Sequence, residues 1–219
     1  MEFRAGAGLI RLEAVMPGVI RVVHTMADVV APPSAIASGE GVPAERDAFW
    51  SVKRDGDGGA LRSGDLCAAY DASTGCVTWS EAGGAVLLRE AGHELTPQDV
   101  VRYTTGGEAP VIDKVKTVDG ERSFIRNLKP VQDRRAWRAT LRLRFAPDEG
   151  IHGFGQGEEG VWDHRGRTTY LYQHNMRIPM PFFLSDRGYG LLVDCGALMT
   201  FDLVCLGLLV PHKAVVISG

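Results

Sequence analysis

Short apolar runs, each cut after a few residues by glycine, proline or an Asp-Gly pair, follow one another along the whole chain, and this rhythm restricts the fold more than any other feature. Residues 9–15 alternate loosely and stop at Pro17-Gly18, and residues 19–24 follow at once, so the two read as a hairpin. Residues 49–53 form a third strand, ended by Asp55-Gly56-Asp57-Gly58-Gly59. Residues 66–70 and 76–79 flank the turn 71–75, and Gly83-Gly84 leads into 85–90, which together read as a meander. Residues 92–127 are weakly patterned. The clearest strand follows at 139–145, where Leu141, Leu143 and Phe145 face one way and Arg142 and Arg144 the other, as in a half-buried antiparallel strand. Strands at 168–172, 181–184 and 190–194 complete the series. No run has a period of 3.6 with helix caps. The expected fold is all-β, a large antiparallel β-sandwich.

Composition supports this and excludes several functions. Of 219 residues, 45% are hydrophobic and 23% charged, enough for a sizeable core in one large domain, or one domain with a ragged end. The 27 glycines supply the many tight turns an all-β chain needs. A net charge of -3 gives no electrostatic reason to expect nucleic acid or an anionic membrane as partner. The four cysteines, Cys67, Cys76, Cys195 and Cys205, lack zinc-ligand spacing, so no metal is expected from them. Cys67 and Cys76 bracket a turn and leave a disulfide open, although free, partly buried thiols suit a reducing compartment better. Met1-Glu2-Phe3-Arg4 lacks a signal-peptide profile. The longest apolar run, 203–210, falls short of the roughly 18 residues of a bilayer span and stops at Pro211. A cytoplasmic protein is expected.

Two features of the stretch after Gly150 imitate functional motifs. Gly153-Phe154-Gly155-Gln156-Gly157 has the glycine density of a phosphate cradle, but such a cradle must open a helix whose N–H groups hold the phosphate. A strand follows here instead, so nucleotide binding is not expected. His152, Glu158, Glu159, Asp163, His164 and His174 form an acid and imidazole cluster, reminiscent of paired carboxylates or a metal site. Neighbouring Glu158 and Glu159 in a glycine-rich loop would diverge into solvent.

The same stretch carries a resemblance. His152 to Glu158, then Leu171-Tyr172-Gln173-His174-Asn175, then Ile178 to Asp194 with its Pro-Phe-Phe-Leu-Ser-Asp-Arg-Gly-Tyr-Gly-Leu-Leu-Val-Asp core, resemble glycoside hydrolase family 31 in content, order and spacing. Weaker matches at Gly18 to Val22 and Asp71 to Trp79 extend the similarity over roughly residues 3–202. The resemblance implies a galactose-mutarotase-like super-sandwich, here incomplete at its C-terminus, packed against a (β/α)8 barrel. The barrel carries the two catalytic aspartates of a retaining α-glycosidase, so no residue of this chain is expected to be catalytic. It also implies that one loop of the sandwich reaches the active-site mouth, matched by Gln173, His174 and Asn175. Amides and imidazole suit sugar hydroxyls, and Tyr172 or Trp162 would offer an apolar platform. Asn175 stands where many members have aspartate, which leaves the glycone open. The hairpin with turn Ser185-Asp186-Arg187-Gly188 reads as scaffold, with Gly188 at positive φ and Pro179 and Pro181 on an edge strand.

A barrel of about 250 residues does not fit after Asp202. Residues 1–202 are therefore expected to form the amino-terminal domain and 203–219 an atypical tail from a truncated or frame-shifted reading. The expected function is that of the substrate-loop domain of an α-glycosidase acting on α-glucosidic or α-xylosidic oligosaccharides. Its expected partners are the saccharide and a barrel normally on the same chain, with no cofactor. A free-standing carbohydrate-binding or mutarotase-like protein, pairing Glu158 or Glu159 with His164, and an inactive fragment are the alternatives.

Overall fold

The computed structural model describes residues 1–6, 8–26 and 49–204, together with the backbone of 213–218. The Ala/Ser/Pro/Gly-rich stretch 31–43, expected as a loop, and the tail around Cys205 lie outside the described residues. No helix occurs among the described residues.

In chain order the strands are β1 (Glu2–Ala5), β2 (Gly8–Met16), β3 (Val19–Thr25), β4 (Trp50–Asp55), β5 (Gly58–Ser63), β6 (Leu66–Asp71) and β7 (Cys76–Glu81). They continue as β8 (Val86–Thr104), β9 (Ile112–Thr117), β10 (Gly120–Ile125), β11 (Lys129–Arg144), β12 (Ile151–Gln156) and β13 (Thr168–Leu171). The series closes with β14 (Ile178–Ser185), β15 (Gly190–Leu192), β16 (Leu198–Asp202) and β17 (Lys213–Ser218). A nine-stranded sheet runs β13-β16-β17-β11-β8-β7-β6-β5-β4, and two three-stranded sheets, β1-β2-β3 and β12-β14-β15, accompany it. The chain divides into two units, Met1–Leu95 with Ala139–Gly219, and Thr96–Arg138.

In the first unit the expected hairpin forms, with Leu12 opposite Val22 and Gly18 at φ 77 in its turn. The meander forms too, but with one strand more than its pattern suggested. Gly58 and Gly59 are not turn residues: they open β5, where a side chain at Gly59 would come within 2.6 Å of the Lys53 carbonyl. Cys67 and Cys76 are free, because Cys67 pairs with Ser80 while Cys76 pairs with Asp71, several rungs away.

Two apolar clusters fill this unit. Phe3, Ile10 and Leu12 meet Leu61, Ala68, Tyr70 and Val77 between the first small sheet and the meander. Leu143, Phe145, Ile151, Phe154, Phe183, Met199 and Phe201 form the second, under the β12-β14-β15 sheet, and Trp79 touches both. Each fully buried side chain of this kind contributes roughly 1.5–3 kcal/mol. The split second layer makes the fold an antiparallel sandwich.

Residues Thr96–Arg138 behave differently. They comprise the C-terminal part of β8, the N-terminal part of β11 and the hairpin β9–β10, and contain no buried side chain. Exposed ion pairs such as Lys114–Glu121 at 2.6 Å and Lys129–Glu108 at 2.9 Å lace them together. With no face to bury, these strands show no alternation, which is why their pattern is weak.

Candidate functional site

The stretch 149–194 builds its local structure from three devices. The first is a bulge. Gly153, Phe154 and Gly155 all lie at positive φ (122°, 63° and 89°), and pairing with β14 shifts between Gly153 and Gly155. The shift drives the buried Phe154 ring against Phe201, Phe183 and His164. A Cβ on Gly155 would sit 2.0 Å from the Ile178 carbonyl. The glycines thus serve strand packing, not a phosphate. Pro179 and Pro181, expected on an edge strand, lie in the entry half of β14, which is central in its sheet but has no β15 ladder partner there. Pro181 falls within the register shift, and β15 pairs only with residues 182–184, so both prolines precede the part of β14 that is paired on both sides.

The second device is a buried carboxylate. Glu149 accepts hydrogen bonds from Ser185 Oγ (2.7 Å), the Tyr189 hydroxyl and the Ala146 N–H (2.7 Å), and Arg187 Nε lies 3.9 Å away. Burial and the adjacent carboxylate push the Tyr189 hydroxyl far above its ordinary pKa. Gly188 turns the hairpin at φ 83, and Gly190 leaves room for the Phe182 ring. The Ser-Asp-Arg-Gly-Tyr-Gly motif is therefore a cage for Glu149, a residue to which its own sequence context drew no attention.

The acid and imidazole cluster is divided among structural tasks. Asp163 Oδ1 accepts the N–H groups of Ile151 and Arg165, both at 3.0 Å, and these bonds hold its pKa down against desolvation. His164 Nδ1 meets Thr169 Oγ1 at 2.8 Å, and burial lowers the pKa of the ring. Glu159 pairs with Arg177, and His152 Nδ1 meets the Trp162 carbonyl. His164 Nδ1 is thus turned to Thr169 and Glu159 to Arg177.

The third device is the loop after β13. Tyr170, Tyr172 and His174 alternate along the chain and stack as an exposed ladder, with centroids 6.1 Å apart at each step and planes tilted by 25° and 28°. The side-chain amide of Gln173 donates to the carbonyls of Arg177 (2.5 Å) and His174 (3.3 Å), and His174 Nδ1 meets the Asn175 carbonyl at 2.8 Å. Met176 closes the loop at φ 64. Arg177 donates to the Tyr170 carbonyl and so pins the loop base.

A cavity of about 330 Å³ opens beside this loop, between Leu171, Tyr172 and Gln173, Pro179 and Pro181, and residues 195–199. That is the small end of the range for ligand sites. Among the described residues no carboxylate lines it. Trp162, 81% exposed, is not part of its lining but lies over His152 with centroids 5.4 Å apart. Tyr170 and Arg177 complete the loop without having been singled out from sequence; the aromatic alternation 170, 172, 174 was the available signal.

Comparison with known proteins gives a consistent result. The family described as glycosyl hydrolase 31 N-terminal galactose mutarotase-like domain matches residues 9–202. An uncharacterized family 31 glucosidase of Pseudescherichia vulneris is 28% identical over 141 residues, which is 64% of this chain and 25% of that protein. A family 31 α-xylosidase from Xanthomonas citri superposes with a TM-score of 0.67 at 25% identity, over 92% of this chain and 19% of that one. A family 31 α-xylosidase from a soil metagenome, solved with xylose, gives 0.64 at 17% identity, over 100% of this chain and 31% of that one. The chain thus spans a third or less of these relatives.

Proposed function

The chain belongs to the glycosyl hydrolase 31 N-terminal galactose mutarotase-like family, and from that premise we propose that it is the substrate-loop domain of a retaining α-glycosidase. The substrates are oligosaccharides with α-xylosidic or α-glucosidic links, as the names of the similar xylosidases and glucosidase suggest. The bond-breaking carboxylates belong to a (β/α)8 barrel outside these residues.

The observation that carries this reading is the exposed Tyr170–Tyr172–His174 ladder beside a cavity without carboxylates. Flat aromatic faces stack on the C–H faces of a sugar ring, while amide and imidazole groups such as Gln173, Asn175 and His174 exchange hydrogen bonds with its hydroxyls. Retaining hydrolysis needs two carboxyls about 5 Å apart, which this cavity lacks. Trp162 offers a second apolar platform.

An exposed apolar stripe supports a covering partner such as this barrel. On β14 the alternate residues Ile178, Met180 and Leu184, with Leu192 opposite Phe182 on β15, present an exposed apolar stripe. A stripe of this kind marks an interface. Free Cys67, Cys76 and Cys195 suit a cytoplasmic setting.

Titration of labelled protein with xylose and maltose, followed by amide chemical shifts, tests the loop assignment. Shifts should concentrate at 170–175 and vanish in Tyr172→Ala. Saturable shifts confined elsewhere, unchanged in that variant, would overturn it.

A further inference from the structure

His24 stands near the end of β3, and Glu90 and His93 stand on β8, so the three come from different sheets. A nitrogen of each ring and a carboxylate oxygen of Glu90 nevertheless lie within 4.8 Å of one another. Along a regular strand positions 90 and 93 face opposite ways. Gly92, at φ 137, breaks the alternation and brings His93 round beside Glu90.

The polar accounting in this spot does not close. The Glu90 side chain is 1% exposed, accepts the Val77 N–H through Oε2 at 2.8 Å, and meets His24 Nε2 through Oε1 at 2.9 Å. The two imidazoles lie against each other with centroids 4.1 Å apart, so two imidazolium charges would repel strongly there. Nδ1 of His24 and Nδ1 of His93 are both buried without a hydrogen-bond partner. Buried ring nitrogens left bare in this way are uncommon, since each costs about 1–3 kcal/mol.

We propose that His24, Glu90 and His93 form a binding site for a divalent transition-metal ion of the zinc type, which ties β3 to β8. Two imidazoles and one carboxylate are a nitrogen and oxygen donor set that favours zinc, cobalt or nickel over magnesium or calcium. Ligands about 2.0–2.1 Å from a tetrahedral ion stand roughly 3.3 Å apart, so closure asks only for small side-chain rotations. A water molecule completes the fourth position. The ion would act as a cross-link between layers, adding stability that grows with the logarithm of free ion once it exceeds the dissociation constant.

The full chain, stripped with a chelator and titrated with cobalt(II), tests this. One ion should bind per chain, with visible absorption of a tetrahedral nitrogen and oxygen site and no thiolate charge-transfer band. Zinc should displace it and magnesium should not, and excess zinc should raise the melting temperature. His93→Gln should weaken binding at least tenfold, while His152→Gln should leave it unchanged. Should His93→Gln fail to fold, X-ray absorption on the cobalt form of the unaltered chain should show two imidazoles in the ligand shell. No binding at excess zinc, a thiolate band, an ion without imidazole ligands, or affinity unaltered in folded His93→Gln would each overturn the proposal.

Discussion

Glu149 shows how one buried carboxyl group can organise a hairpin. Replacing it with alanine strands the Ser185 and Tyr189 hydroxyls and the Ala146 N–H together. The expected cost is about 3 kcal/mol, against about 1 kcal/mol for Tyr189→Phe, which removes a single donor. Urea midpoints of the two variants would check both the size and the order. His164 makes a prediction about pH. Its folded pKa is lowered by burial, so the unfolded chain takes up a proton first as the pH falls below about 6.5. Stability should therefore decline from pH 7 toward 5, and His164→Gln should flatten that slope without changing the later loss below pH 4, where Asp163 contributes. Individual side chains were only partly legible in the sequence. The alternation of Leu141, Leu143 and Phe145 announces which of them face inward. Glu149 does not, because its partners lie 36 and 40 residues away. His24 and Glu90, 66 residues apart, are brought together only by the packing of two sheets.

At the scale of elements, turn chemistry was the readable part. Pro17-Gly18 and the 71–75 turn mark their hairpins as anticipated, since a proline or a positive-φ glycine leaves few alternatives. Reading failed where glycine serves a strand. Gly58 and Gly59 hid β5, and Pro179 and Pro181 signalled an open edge that holds only for the entry half of β14, before β15 joins it. In both places tertiary packing overrides local propensity. The bulge in β12 puts this to a test. Gly155→Ala meets both the left-handed backbone penalty of about 1–2 kcal/mol and a carbonyl it cannot avoid, so a loss of roughly 3 kcal/mol or more is expected. Gly160→Ala, also at positive φ but with open space around its Cβ, should cost only the backbone penalty, about 1 kcal/mol. Comparing the two by chemical denaturation separates packing from backbone strain. Equal losses would show that the bulge imposes no steric demand.

At the scale of the whole molecule, the described part of the larger unit is a sandwich in which several polar clusters hold strands together and an aromatic loop faces outward. The all-β class and the family resemblance were open to reading because short patterned strands and a long hairpin motif both survive in the sequence. The strands of residues 96–138 were not, because strands without a buried face carry no periodic signal. The proposed division of labour is that this domain presents a surface to a saccharide while residues outside it cleave the bond. The most direct measurement is the release of nitrophenol from nitrophenyl α-xyloside and α-glucoside by the purified chain. No turnover above buffer is predicted, whatever the enzyme concentration. Release proportional to protein, and abolished by substituting any carboxylate within residues 1–204, would contradict it.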